Sequence, residues 1–257
     1  MPAQPPAPPA PRTFTHLIVA FTSFLTVAIH TILHQRSLYP RTSFLTARAY
    51  NYPVHQSRHP AVCAWVADAV AAVEAELLQN RAARVALVVY SAASRPLERF
   101  VWDVSRFPAV AREERETAFA EREGEGPRPA DAEPTDANVD LEEQFRASLA
   151  KLTACGGLLR PLPPGCTFTV AVELREDADA PIGHPQPWIP AHPSLQATKQ
   201  KGDGEKPARG EELGGAKMTP VRAVRAGEMM FEMWIEEGKA KVDTDGSASN
   251  NSSADYR

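Results

Sequence analysis

Apolar positions along this chain fall into a few well-formed runs, separated by long polar tracts. Leu17, Phe21, Phe24, Leu25, Ala28, Ile29, Ile32 and Leu33 recur at helical spacing and predict a deeply buried helix over about Thr15 to Ser37. Thr22, Thr26, His30 and His34 recur every four residues and predict one wetter stripe along it. Pro40 ends the helix by pushing Tyr39 into an extended conformation. The chain to His59 reads as an extended link, and Pro60 suits the first turn of a second helix. Val62, Trp65, Val66, Ala69, Val70, Val73 and Leu77 carry that helix to about Gln79.

Strand periodicity follows. Val85 to Tyr90 and Leu97 to Val104 flank a turn, with Phe100, Trp102 and Val104 on one face. Leu141, Phe145, Leu149 and Leu152 mark a third helix over Leu141 to Thr153. Thr167 to Leu174 alternates cleanly, Met218 to Val224 is a short extended candidate, and Met229 to Glu237 is a last strand. In that strand Met229, Phe231, Met233 and Ile235 point inward, opposite Met230, Glu232 and Trp234. Helices and strands in this order do not alternate as βαβ. The expectation is an α+β fold, with a three-helix layer on a mainly antiparallel sheet.

Composition changes the boundaries of that picture. Hydrophobic residues make up 43% of 257, enough for a core, but the 24 prolines cluster. Residues 1–12 read as a Pro/Ala-rich disordered arm, and 13–238 as one domain. Within it, inserts lie at about 111–138 and 176–216; residues 239–257 read as a disordered tail. The net charge is −4, yet residues 112–143 hold 12 acids against 4 arginines. No Lys/Arg stripe stands out, so direct nucleic-acid binding is not expected. Phe14 to Leu33 has the length of a membrane span, but its polar stripe argues for a core helix, and no signal peptide is expected.

Candidate chemistry is sparse. Cys63, Cys155 and Cys166 are widely spaced without a CxxC, which argues against disulfides and zinc and for a reducing compartment. The pairs His30/His34 and His55/His59 lack further ligands, so no metal is expected. GxSxG, GxxxxGK[ST] and GxGxxG are absent; no catalytic residue and no cofactor are expected. Two tryptophans sit oddly: Trp188 in a polar, proline-rich tract and Trp234 on a glutamate-bearing strand face. Trp188 suits either a local plug on the core or a partner-docking surface, and Trp234 either a second buried face or such a surface; composition leaves these open.

The blocks FLTVAIHTILHQRSLYP, YNYPVHQSRHP, RPLERFVWDV, FRASLAKL, PPGCTFTVAVELRE, PWI, MTPVRA and MFEMWIEE together resemble HORMA-domain proteins, in particular the accessory subunits of translesion DNA polymerase zeta. The match spans roughly residues 14–110 and 140–237. The resemblance implies a mobile C-terminal safety belt, about residues 176–238, that wraps over a partner peptide and re-pairs on a sheet edge. It implies a non-catalytic nuclear adaptor (cytoplasm also admitted) that clamps a proline-containing peptide of the polymerase's catalytic subunit. It assigns peptide binding to Trp65 and Trp188, with Tyr39 and Phe168 beside them. Met218, Glu232 and Trp234 match a surface that docks the C-terminal domain of a second translesion polymerase, and Arg146 matches an arginine of HORMA homo- or heterodimers. Trp65 and Trp234 stand where tyrosines are usual, and Glu232 where glutamine is. The alternative within the family is a spindle-checkpoint protein that traps an anaphase-activator or checkpoint peptide.

Overall fold

A computed structural model describes residues 11–121, 141–176, 178, 217–238 and 241. α1 (Phe14–Gln35) starts at Thr13, whose hydroxyl accepts from the His16 amide at 3.3 Å. It ends in a Schellman motif: Ser37 takes φ 52°, its N–H bonds His34 O, and the Leu38 N–H bonds Leu33 O. α2 (Pro60–Leu78) begins on its proline. It ends the same way, with Asn80 at φ 57° and the Arg81 N–H on Glu76 O. The Asn80 side chain then clips the next segment, donating to Val110 O at 2.8 Å and accepting from the Val110 amide at 3.3 Å.

α1 is long and apolar enough to cross a membrane, but most of it is buried inside the fold. Phe21, Phe24, Leu25, Ile29 and Ile32 meet α2 and α3 on one side and the sheet on the other. Phe24 stacks on Phe145 of α3 (Leu141–Leu158) at 4.6 Å between ring centres, and Phe21 lies edge-on to Phe231 at 5.3 Å. The expected wet stripe is corrected in part: Thr26 and His34 are half-exposed, but the other two positions are not. Thr22 and His30 are buried, because α2 and the following hairpin pack over them. Thr22 donates to Glu74 at 3.3 Å. The exposed positions of α1 are instead His16, Val19 and Ser23.

The link between α1 and α2 is not merely extended. It is a two-stranded hairpin, β1 (Phe44–Ala49) and β2 (Tyr52–Ser57), closed by Tyr50 and Asn51 at φ 50° and 54°. Two left-handed residues in a two-residue turn are the primed geometry that suits strand twist, normally signalled by Asn-Gly. Tyr-Asn carries no such signal, which is why the sequence pattern missed it.

The main sheet holds β3 (Ala82–Tyr90), β4 (Pro96–Asp103), β5 (Thr167–Leu174), β6 (Lys217–Ala226) and β7 (Met229–Glu237). Its order is β5-β3-β4-β7-β6, and every neighbouring pair is antiparallel. The inner face carries Leu87, Phe100, Trp102, Phe231 and Ile235 against the helices. α3 runs five residues past the predicted Thr153, through Gly156, where a Cβ would fall 2.4 Å from the Gln35 side chain. The tail expectation also needs correction at one residue: Lys241 is buried, drawn in by the carboxylates of Glu98 and Glu237. The rest of the expected tail, the N-terminal arm to residue 10 and most of both inserts lie outside the described residues.

Candidate peptide-binding edge and belt surface

β5 is the end strand of the sheet, and among the described residues it pairs only with β3. A free edge exposes a row of backbone N–H and C=O groups, which is a template for an added strand. Beside it runs a groove of about 480 Å³ lined by Leu38, Tyr39, His59, Ala61, Val62, Trp65, Cys166, Thr167 and Phe168. Three chain segments build it: the α1 C-terminal turn, the first turns of α2, and the start of β5. Trp65 is one residue off the buried stripe of Val62, Val66, Val70, Val73 and Leu77, so it leans over the groove and remains 40% exposed. Phe168 packs edge-on to both partners, 4.9 Å from Trp65 and 6.3 Å from Tyr39. Burial, and then the neighbouring Glu98 charge, pushes the Cys166 thiol above its ordinary pKa, so it stays protonated and apolar at neutral pH.

The structure thus brings Tyr39, Trp65 and Phe168 together around one groove. Trp188 lies outside the described residues. Leu38, His59 and Cys166 line the same groove; the sequence pattern assigned none of them to it, because only the folded contact joins them.

β7 pairs on β4 and β6 on β7, so β6 is the end strand opposite β5. The chain between Leu174 and Lys217 therefore runs from one edge of the sheet to the other. Four strand spacings of about 4.8 Å separate β5 from β6, whereas 42 residues reach on the order of 140 Å when extended. That connection has slack to pass around a strand laid on β5.

The outer face of β6 and β7 holds Met218, Glu232 and Trp234 together. Register fixes this: Met218 opposes Glu236, Pro220 opposes Trp234 and Ala223 opposes Glu232. Met218 is 57% exposed, and Glu232 is exposed. Trp234 is half-buried against Ala86, Val88 and Val101, and its Nε1 donates to Glu236 at 2.7 Å. The Trp234 ring thus helps cover an apolar centre on the outer face while part of it stays exposed. An ion ladder flanks that centre, with Arg84 bonded to Asp103 and Glu173 at 2.9 Å each, and Arg99 also bonded to Glu173. Arg146 is elsewhere, on α3, partly exposed and paired with Glu143 at 3.0 Å.

Among the described residues no three His, Cys, Asp or Glu side chains converge as metal ligands. His34 and His55, one from each sequence pair, do meet, with ring centres 3.6 Å apart. Burial, then the charges of His55 and Arg41, holds the His34 pKa below its ordinary value.

The architecture is a three-helix layer on a five-stranded antiparallel sheet, with β5 at one end and the last hairpin at the other. The HORMA domain family model matches residues 18–214, and the chain belongs to that family. It is 30% identical over 223 residues to the zebrafish mitotic spindle assembly checkpoint protein MAD2B, covering 85% of this chain and 89% of that protein. It is 32% identical over 217 residues to the DNA polymerase zeta processivity subunit of Schizosaccharomyces pombe, covering 84% and 91%. Among solved structures, a chain of the mitotic checkpoint complex shares the fold with a TM-score of 0.60 and 18% identity, over 86% of this chain and 97% of that one.

Proposed function

We propose that this chain is a non-catalytic adaptor subunit of DNA polymerase zeta in translesion synthesis. A short proline-containing peptide of the catalytic subunit adds as a strand along β5, and its apolar side chains enter the groove of Tyr39, Trp65 and Phe168. The segment 176–238 serves as the belt, with Trp188 closing over the peptide. The outer face with Met218, Glu232 and Trp234 receives the C-terminal domain of a second translesion polymerase, and Arg146 serves HORMA homo- or heterodimers. The expected compartment is the nucleus.

The observation that carries this reading is the pairing of a free edge with an aromatic groove, in a chain whose next segment must travel to the far edge. An incoming strand would satisfy backbone groups at the edge and bury half-exposed aromatics, while the connection encloses it. The polymerase assignment is supported by the name of the S. pombe relative. The name of the zebrafish relative favours the second reading, a spindle-checkpoint protein that traps an anaphase-activator or checkpoint peptide. The test is capture of the full chain by immobilised peptides from each candidate partner. Recovery on the polymerase peptide is expected; recovery on the checkpoint peptide alone overturns the assignment.

A further inference from the structure

The register of β7 on β4 places Glu237 directly opposite Glu98. Both carboxylates lie on the inner, helix-covered face, Glu98 fully buried and Glu237 nearly so. Like charges facing across a strand pair repel, and desolvation magnifies that repulsion. Whenever the last hairpin takes this seat, two buried anions are forced together.

Two cations answer them, and they differ in origin. Arg36 caps α1 and belongs to the fixed part of the fold. Its Nε and Nη2 donate to Glu98 at 2.9 and 2.6 Å, and its remaining donors hold Gly156 O and Arg160 O at 3.3 and 2.6 Å. Arg36 is therefore committed to Glu98 and to the end of α3. Lys241 lies beyond the last strand and is 2% exposed. Its Nζ donates to Glu237 at 2.6 Å and also to Glu98. Glu237 further accepts from the Arg160 amide at 3.2 Å, while Lys217 of β6 reaches it only at 3.9 Å and is exposed. Lys241 is thus the buried side-chain cation on Glu237 among the described residues.

We infer that Lys241 is a positioning residue that fastens the β6–β7 hairpin to the β4 edge by neutralising the Glu98–Glu237 pair. Before Lys241 docks, seating the hairpin would bury Glu237 without its side-chain counter-charge, which is strongly unfavourable. The seat is therefore completed by a residue outside the sheet. The latch also adjoins the groove: Phe168, Val89, Glu98 and Glu237 form one cross-strand row, so Glu98 sits about 10 Å from Phe168. Hairpin seating and the floor of the groove share this end of the sheet. The fastening stands on geometry alone; its effect on peptide retention rests on the function proposed above.

The test uses the full-length, peptide-free chain and hydrogen exchange resolved by segment. Lys241→Met should speed exchange in residues 229–238 by about tenfold or more, while β3 and α1 keep their protection. Adding Glu237→Gln to Lys241→Met removes the stranded charge and should restore protection to within about threefold; Lys241→Arg should retain it. Unchanged exchange in Lys241→Met overturns the inference. Equal loss in Lys241→Met and in the double variant also overturns it, because Lys241 would then act by packing alone. If Lys241→Met does not fold, a folded double variant supports the inference and an unfolded one overturns it. A peptide-binding failure with normal exchange behaviour would count against the proposed function and leave the latch standing.

Discussion

Removing the Trp65 ring should weaken both peptide binding and the fold, each by an amount its burial sets. Trp65 keeps 40% of its surface exposed at the groove. A buried tryptophan covers up to ~250 Å², so a bound peptide that sealed this one would hide roughly 100 Å² more. At about 25 cal/mol per Å² this is worth about 2.5 kcal/mol, or about 70-fold in affinity at 1.36 kcal/mol per tenfold. The free domain loses the roughly 150 Å² already covered, worth about 3–4 kcal/mol by the same factor. Its principal aromatic contact there is the edge-on packing with Phe168, and such pairs contribute about 0.5–1.5 kcal/mol. Trp65→Ala should therefore weaken binding of a labelled polymerase-subunit peptide by about 70-fold in fluorescence anisotropy, with the loss mainly in the off-rate. Urea unfolding of the free protein should move by about 3–4 kcal/mol, so affinity is compared per folded molecule. Unaltered affinity in a folded variant would refute the groove as the peptide site. A stability loss below about 1 kcal/mol would show that the covered part of the ring is not packed in the free domain.

Other outcomes can be checked with the same tools. Phe24→Ala removes a fully buried ring stacked on Phe145 and should cost about 3–5 kcal/mol in urea unfolding. His30 and His34 both have pKa values held below 6.5, in each case first by burial. The unfolded chain therefore binds more protons between the folded and unfolded values, so stability should fall as pH drops through and below 6.5. His34→Gln should flatten that slope in a melting series; an unchanged slope would count against it. Arg146→Ala breaks only a surface pair with Glu143, so stability should change by less than about 0.5 kcal/mol while sedimentation shows weaker self-association. An unaltered dimer, or a wild type that is already monomeric, would remove Arg146 from that role. Glu237 has its pKa lowered because the Lys241 hydrogen bond and charge outweigh the upward push of burial. Its contribution is present above the ordinary carboxylate range and is lost as pH falls through the lowered value, so protection of β7 should fade in acid.

The sequence by itself determined the helices, most of the strands and their inward faces, because burial imposes periods of 3.6 and 2 on residue choice. Phe21, Phe24, Phe100, Phe231 and Ile235 were legible for that reason, as was the α+β class from element order. The hairpin at Tyr50 and Asn51 was not legible, because its turn lacks glycine and is held by packing on α1 and α2. The stripe of Thr22 and His30 was misjudged, since a polar residue reads the same whether water or a neighbouring helix meets it. The family resemblance set Tyr39 and Phe168 beside Trp65; only the tertiary structure decided which segments build their groove, that the last hairpin sits at the end of the sheet opposite β5, and that Glu98, Glu237, Arg36 and Lys241 meet. Those four charges stand up to 205 residues apart in the chain. Local periodicity carries no information about such pairs; strand order and register alone bring them into contact.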